Sequence, residues 1–99
     1  MGHKVIWTDE AIADLRQLVV FISQDNPKAA VKLGETLIQK SMILATHPRF
    51  GRMLRTSPKD TLRELIVPPY RVVYEINDKD RVIYVRMLWH SARDEPEIR

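Results

Sequence analysis

Two strand-like runs separated by consecutive prolines constrain this chain more than any other feature. Leu62-Arg63-Glu64-Leu65-Ile66-Val67 and Tyr70-Arg71-Val72-Val73-Tyr74-Glu75-Ile76 flank Pro68-Pro69, and both runs are rich in the β-branched and aromatic residues that suit a half-buried sheet. Proline has no N–H to give to a ladder, so the pair reads as a turn between neighbouring strands. A third run, Arg81 to Trp89, follows the turn-forming Asn77-Asp78-Lys79-Asp80 and makes a β-hairpin with residues 70–77. Alternation puts Val72, Tyr74 and Ile76 on one sheet face and Arg71, Val73 and Glu75 on the other. Arg63 and Arg71 stand inside strands, where apolar residues are the default. The third run leads into His90-Ser91-Ala92-Arg93, so three strands are expected to deliver Arg63, Arg71, His90 and Arg93 to one patch.

The N-terminal half reads as scaffold. Lys4-Val5-Ile6-Trp7 is a short strand. From about Asp9 to Ser23, Ala11, Leu15, Leu18 and Ile22 recur with helical spacing, flanked by Ile12 and Val19. Thr8 or Asp9 is suited to cap this helix. Asn26 and Pro27 then suit the cap and first turn of a second helix, expected to run to Thr46 and to stop before Pro48. Its buried face is Ala30, Leu33, Leu37, Ser41 and Leu44, and close approach of the first helix would account for Gly34 near that stripe. Val20 and Phe21 on the first helix, and Met42 and Ile43 on the second, fall outside the apolar stripes and leave area for a partner. His47 to about Asp60 is a connector. The element order βααβββ predicts an α+β fold, a helical hairpin packed on one face of a small, mostly antiparallel sheet. The other face is left to solvent or a partner.

Composition narrows the chemistry. The chain has 99 residues, enough for one two-layer core, so residues 1–99 are expected to form a single domain. No cysteine is present, which excludes disulfides, thiolate nucleophiles and Cys-based zinc sites. His3, His47 and His90 lack ligand-like spacing, so neither a metal nor a cofactor is expected. No apolar run approaches the roughly 18 residues of a membrane span, and a cytoplasmic protein without membrane contact is expected. The net charge of +3 is concentrated between Glu35 and Asp60, where Lys40, Arg49, Arg52, Arg55 and Lys59 occur without an acid. That run suits either solvation or an anionic partner.

The order βααβββ together with five segments in sequence resembles the RelE/ParE family of toxins from type II toxin–antitoxin, or plasmid-stabilisation, systems. The segments are Asp25-Asn26-Pro27 between the helices, Pro48-Arg49-Phe50-Gly51-Arg52 after them, Leu62-Arg63-Glu64-Leu65, Tyr70-Arg71-Val72-Val73-Tyr74 and Leu88-Trp89-His90-Ser91-Ala92-Arg93. The resemblance implies a microbial-ribonuclease-like fold and a growth-arresting toxin neutralised by a cognate antitoxin. It also implies operator DNA binding only through the antitoxin complex. The family divides by target. RelE-like members are metal-independent mRNA interferases acting on the ribosome; ParE-like members share the fold but inhibit DNA gyrase without chemistry of their own.

Both readings have residues to point to. RNA cleavage needs a proton acceptor for the 2′-OH, a donor for the leaving oxygen and cations for the phosphorane. His90 matches the C-terminal histidine of ribonuclease members and suits either proton role. With Arg71 and Arg63 it makes a minimal catalytic set. Arg93 and Arg86 are candidates for binding phosphate, Glu64 is a candidate base, and Tyr70 is a candidate stacking platform. Against this, Arg63 and Arg71 are equally suited to pair with Glu64 or Glu75 across the sheet. The long helices and the absence of a dense Lys/Arg cluster resemble the ParE-like side.

Overall fold

The computed structural model describes residues 2–90. Strand β1 (Lys4–Trp7) leads through Thr8 into helix α1 (Asp9–Ser23). The Thr8 hydroxyl accepts the Ala11 N–H and donates to the Val85 carbonyl, so one residue both caps the helix and ties it to the sheet. Helix α2 (Pro27–Ser41) starts as its sequence dictates, with the Asn26 side chain accepting from the Ala29 N–H and Pro27 in the first turn. The α-helix ends at Ser41, short of the expected Thr46, and tightens into a 3₁₀ turn over Met42–Ala45. Ser41 is fully buried and donates to the Ile38 carbonyl, while the Trp7 indole N–H donates to its hydroxyl at 3.2 Å. A hydroxyl so placed competes with the continuing helix for backbone acceptors.

The sheet has five strands in the order β1-β5-β4-β3-β2, with β2 Arg52–Met53, β3 Leu62–Val67, β4 Tyr70–Asn77 and β5 Val82–His90. Only β1 runs parallel to its neighbour, β5. The expected helical hairpin on a mostly antiparallel sheet is present. The two-residue β2, inside the presumed connector, is an addition: it extends the sheet beyond β3 by pairing Arg52 with Glu64 and Met53 with Arg63.

The main core lies between helices and sheet. Ala11 and Leu15 from α1, Leu37 from α2 and Leu44 from the 3₁₀ turn meet Leu65, Val67, Val72, Tyr74, Ile76, Ile83 and Val85. A second, smaller cluster lies on the opposite sheet face, where Leu54 from the connector folds over Leu62 and Val73 beside Met87. That face is therefore partly covered by the chain itself. Burial of each such aliphatic side chain contributes about 1.5–3 kcal/mol, so Leu54 fixes the connector to the sheet.

Candidate functional site

The register decides which candidate residues meet. In β3 and β4, Val67 opposes Tyr70, Leu65 opposes Val72 and Arg63 opposes Tyr74 on the helix-covered face. Glu64 opposes Val73 and Ile66 opposes Arg71 on the outer face. In β5, His90 opposes Tyr70 and Trp89 opposes Arg71. His90 therefore shares the helix face with Tyr70, and Arg71 lies on the other side of the sheet. Arg63 shares the face of His90 but sits four residues farther along the strands. The single patch expected of Arg63, Arg71 and His90 is not formed: alternating strand geometry and the pairing register separate them. Arg93 lies outside the described residues.

Each arginine has its own partners. On the outer face the Glu64 carboxylate is fully buried, and its two oxygens accept from Arg52 Nε at 2.8 Å and Arg71 Nη1 at 3.3 Å. Arg71 is mostly covered, whereas Arg52 is half exposed on the edge strand. Arg86 occupies the irregularity in the β4–β5 ladder, where Val73 opposes Met87 and Tyr74 opposes Val85, and its Nη1 meets Glu75 Oε1 at 2.6 Å. Arg63 serves the connector: its Nε donates to the Asp60 carbonyl, its Nη1 to the carbonyls of Gly51 and Arg49, and its Nη2 to the Asp60 carboxylate. It works there as a backbone clamp.

The same connector is held from below by Tyr74. The buried phenol donates to the Pro48 carbonyl at 2.7 Å and accepts the Gly51 N–H at 2.9 Å, and burial raises its pKa. A Cβ on Gly51 would come within 2.5 Å of the Glu64 carbonyl oxygen and 2.7 Å of the Tyr74 hydroxyl, so this close approach requires glycine. Arg49 then bridges Asp60 and Asp78, and His3 Nε2 adds a contact to Asp78 at 3.1 Å. This network joins the N-terminus, the connector and the β4–β5 turn. The isolated pattern Pro48-Arg49-Phe50-Gly51-Arg52 carried no signal of it beyond the glycine.

A cleft of about 460 Å³ opens between α1 and the far ends of β4 and β5, lined by Asp14, Gln17, Phe21, Tyr70, Trp89 and His90 among others. The His90 and Tyr70 rings meet edge to face, with centroids 5.3 Å apart. Asp14 Oδ2 accepts the Leu88 N–H at 3.1 Å, occupying the edge of β5 beyond the end of β1. The buried Trp89 Nε1 has no hydrogen-bond partner among the described residues.

The apolar residues outside the core are exposed as expected: Val20 and Phe21, then Met42 and Ile43, with Val31 and Ile38 between them on α2. The two pairs lie apart along the hairpin. Val19 lies against Gly34 in mid-hairpin and Trp7 bonds to Ser41 at one end, so the helices are antiparallel. Phe21 and Met42 thus sit at opposite ends, about 20 Å apart at 1.5 Å rise per residue. Among the described residues no group of three or more His, Cys, Asp or Glu is arranged to hold a metal, and no helix is long and apolar enough to cross a membrane.

The family model for the ParE toxin of type II toxin–antitoxin systems matches residues 5–95. The chain belongs to the RelE/ParE toxin family. Among its relatives, Toxin RelE2 of Caulobacter vibrioides is 35% identical over 91 residues, covering 91% of this chain and 97% of that protein. Two solved structures share the fold at lower identity. A ParDE system from Pseudomonas aeruginosa superposes with a TM-score of 0.71 at 19% identity, over 89% of this chain and 95% of that one. Isolated Escherichia coli RelE superposes with a TM-score of 0.66 at 21% identity, over 94% and 88%. As a type II toxin of this family, the chain has its RelE- and ParE-like alternatives distinguished only by its own residues.

Proposed function

We propose that this RelE/ParE toxin arrests growth by binding its target rather than by cutting RNA, and that the target is DNA gyrase. The supporting observation is the commitment of Arg63 and Arg71, the arginines of strands β3 and β4. Arg71 is paired with buried Glu64 on the outer face, and Arg63 is spent on connector carbonyls and Asp60. A phosphorane needs cations that strengthen their contacts as charge develops, and a guanidinium already paired with a buried carboxylate would have to give up that contact to do so. With the sheet between His90 and Arg71, an acid–base group and a phosphate clamp do not converge on one reacting atom.

On this reading a cognate antitoxin binds the toxin and holds it inactive; structurally related proteins from Mycobacterium tuberculosis and E. coli form RelBE toxin–antitoxin complexes. The exposed apolar residues at both ends of the hairpin suit such a wrapping partner.

A second reading, ribosome-dependent mRNA cleavage, draws support from the His90–Tyr70 pair in an open cleft with Asp14. Inducible expression of the chain alone, with plasmid topology and mRNA primer extension from the same arrested cells, separates the two. Altered supercoiling with intact mRNA is the expected result, and His90→Ala retains toxicity. Codon-phased mRNA cuts with normal supercoiling, lost in His90→Ala, would reverse the assignment.

A further inference from the structure

We propose that Glu64 is a specificity-determining residue: its carboxylate fills the anion position of the Arg52–Arg71 pair and so excludes nucleic-acid phosphate from the outer face. The inference rests on the binding-protein reading above and gives it a physical cause. Two guanidiniums from different strands, β2 and β4, converge on one small volume, an arrangement suited to an external phosphate oxygen. Here that volume holds an acid supplied by the intervening strand. Glu64 projects from β3 between them, has no solvent exposure, and presents one oxygen to each arginine. The remaining strand cation of this face, Arg86, has Glu75.

A phosphodiester approaching this face would have to displace Glu64 from both arginines. It would leave a buried carboxylate without partners, a cost that exceeds the gain from one new ion pair. Protein surfaces carry no such requirement: they can pack on the exposed Ile66 and on the aliphatic stem of Arg52 without breaking the internal pair. Glu64 thereby biases an arginine-bearing face toward a polypeptide partner and away from RNA.

The test replaces Glu64 by Gln, which keeps the shape and one acceptor oxygen while removing the charge. Binding of fluorescein-labelled oligouridine is followed by anisotropy near physiological ionic strength. Glu64→Gln is expected to bind about tenfold more tightly than wild type, as one added charge-assisted contact would give. Its salt dependence should also be steeper. The double variant Glu64→Gln, Arg71→Ala, which also removes the guanidinium that the charge change would free, is expected to return to the wild-type affinity. Folded Glu64→Gln with wild-type RNA affinity overturns the proposal.

The wild-type chain gives an independent readout should Glu64→Gln fail to fold. On titration with oligouridine, the Nε–Hε resonance of exposed Arg55 is expected to move while that of Arg71 stays in place. Early movement of Arg71 overturns the proposal. Ribosome-dependent mRNA cleavage by wild type is scored separately. It would overturn the reading of the target, whereas the ratio of Glu64→Gln to wild-type affinity reports on Glu64 alone.

Discussion

The guanidinium of Arg71 reaches sideways across the sheet to Glu64, Nη1 to Oε1 at 3.3 Å, and the carboxylate it meets is wholly withdrawn from water. A buried carboxylate is tolerated only while its oxygens are satisfied. Arg71→Ala removes one of its two cations and leaves Oε1 without that donor. The expected loss is about 2 kcal/mol of unfolding free energy, read as a lower urea midpoint at unchanged m-value. Arg52→Ala should cost less, because half-exposed Arg52 leaves a position that water can enter. Equal, negligible effects from both variants would mean that Glu64 is satisfied by other means.

Close approach of the first helix would account for Gly34, but the packing leaves room for a Cβ there. A Cβ at this position would meet Val19 Cγ2 at 3.5 Å, an ordinary van der Waals contact, and the residue lies in the middle of α2 with no positive φ. Alanine costs a helix about 1 kcal/mol less than glycine. Gly34→Ala is therefore expected to raise stability by about 0.5–1 kcal/mol, which a melt of a chain this size reads as a rise of about 4 °C. A lower melting temperature would show that the helices must close more tightly than 3.5 Å here.

Acid should loosen the connector before the core. Asp60 is held below its ordinary value of 3.8 by the hydrogen bond from Arg49 and then by that from Arg63. Asp78 is held below it by Arg49 and then by His3. Both folded carboxyls bind protons less readily than they do in the unfolded chain. Their contribution is thus present above the ordinary carboxylate range and is lost as pH falls through the depressed folded values. Melting temperature should fall on acidification below about pH 4. Arg49→Gln should flatten that dependence, with the difference shrinking in high salt because the network is exposed. A parallel pH profile for Arg49→Gln would remove Arg49 as the cause.

Local chemistry carried the fold further than it carried the site. Thr8, Asn26 and Pro27 announce both helices because capping acts within one turn, and alternation over residues 70–77 correctly sorted Val72, Tyr74 and Ile76 to the core. Face parity alone already separated Arg71 from those residues, but whether Arg63 and His90 joined it depended on pairing partners many residues away. The choice between phosphate and protein acceptors was equally nonlocal. Arg63 finds its acceptors in Asp60, Arg49 and Gly51 only because Tyr74 and Leu54 fold the connector back onto the sheet. Strand β2 has no sequence signature, because two residues carry no periodicity.

If the antitoxin covers the exposed apolar residues as proposed, their opposite placement predicts two separable contacts. Val20 and Phe21 lie at the hairpin's loop end beside the His90 cleft, which Phe21 helps to line. Met42 and Ile43 lie at the other end, past the last turn of α2. A partner segment that covers both must span about 20 Å, the length of α2 at 1.5 Å per residue. Sites so far apart contribute additively to within about 0.5 kcal/mol. Phe21→Asp and Ile43→Asp are each expected to weaken antitoxin binding by about 1–2 kcal/mol, since each puts a charge into a covered apolar contact. The double variant should lose the sum of the two, measured by calorimetric titration of folded toxin with purified antitoxin. A double variant no worse than the weaker single would place the antitoxin at one end only, and unchanged affinity in both singles would move it off the hairpin.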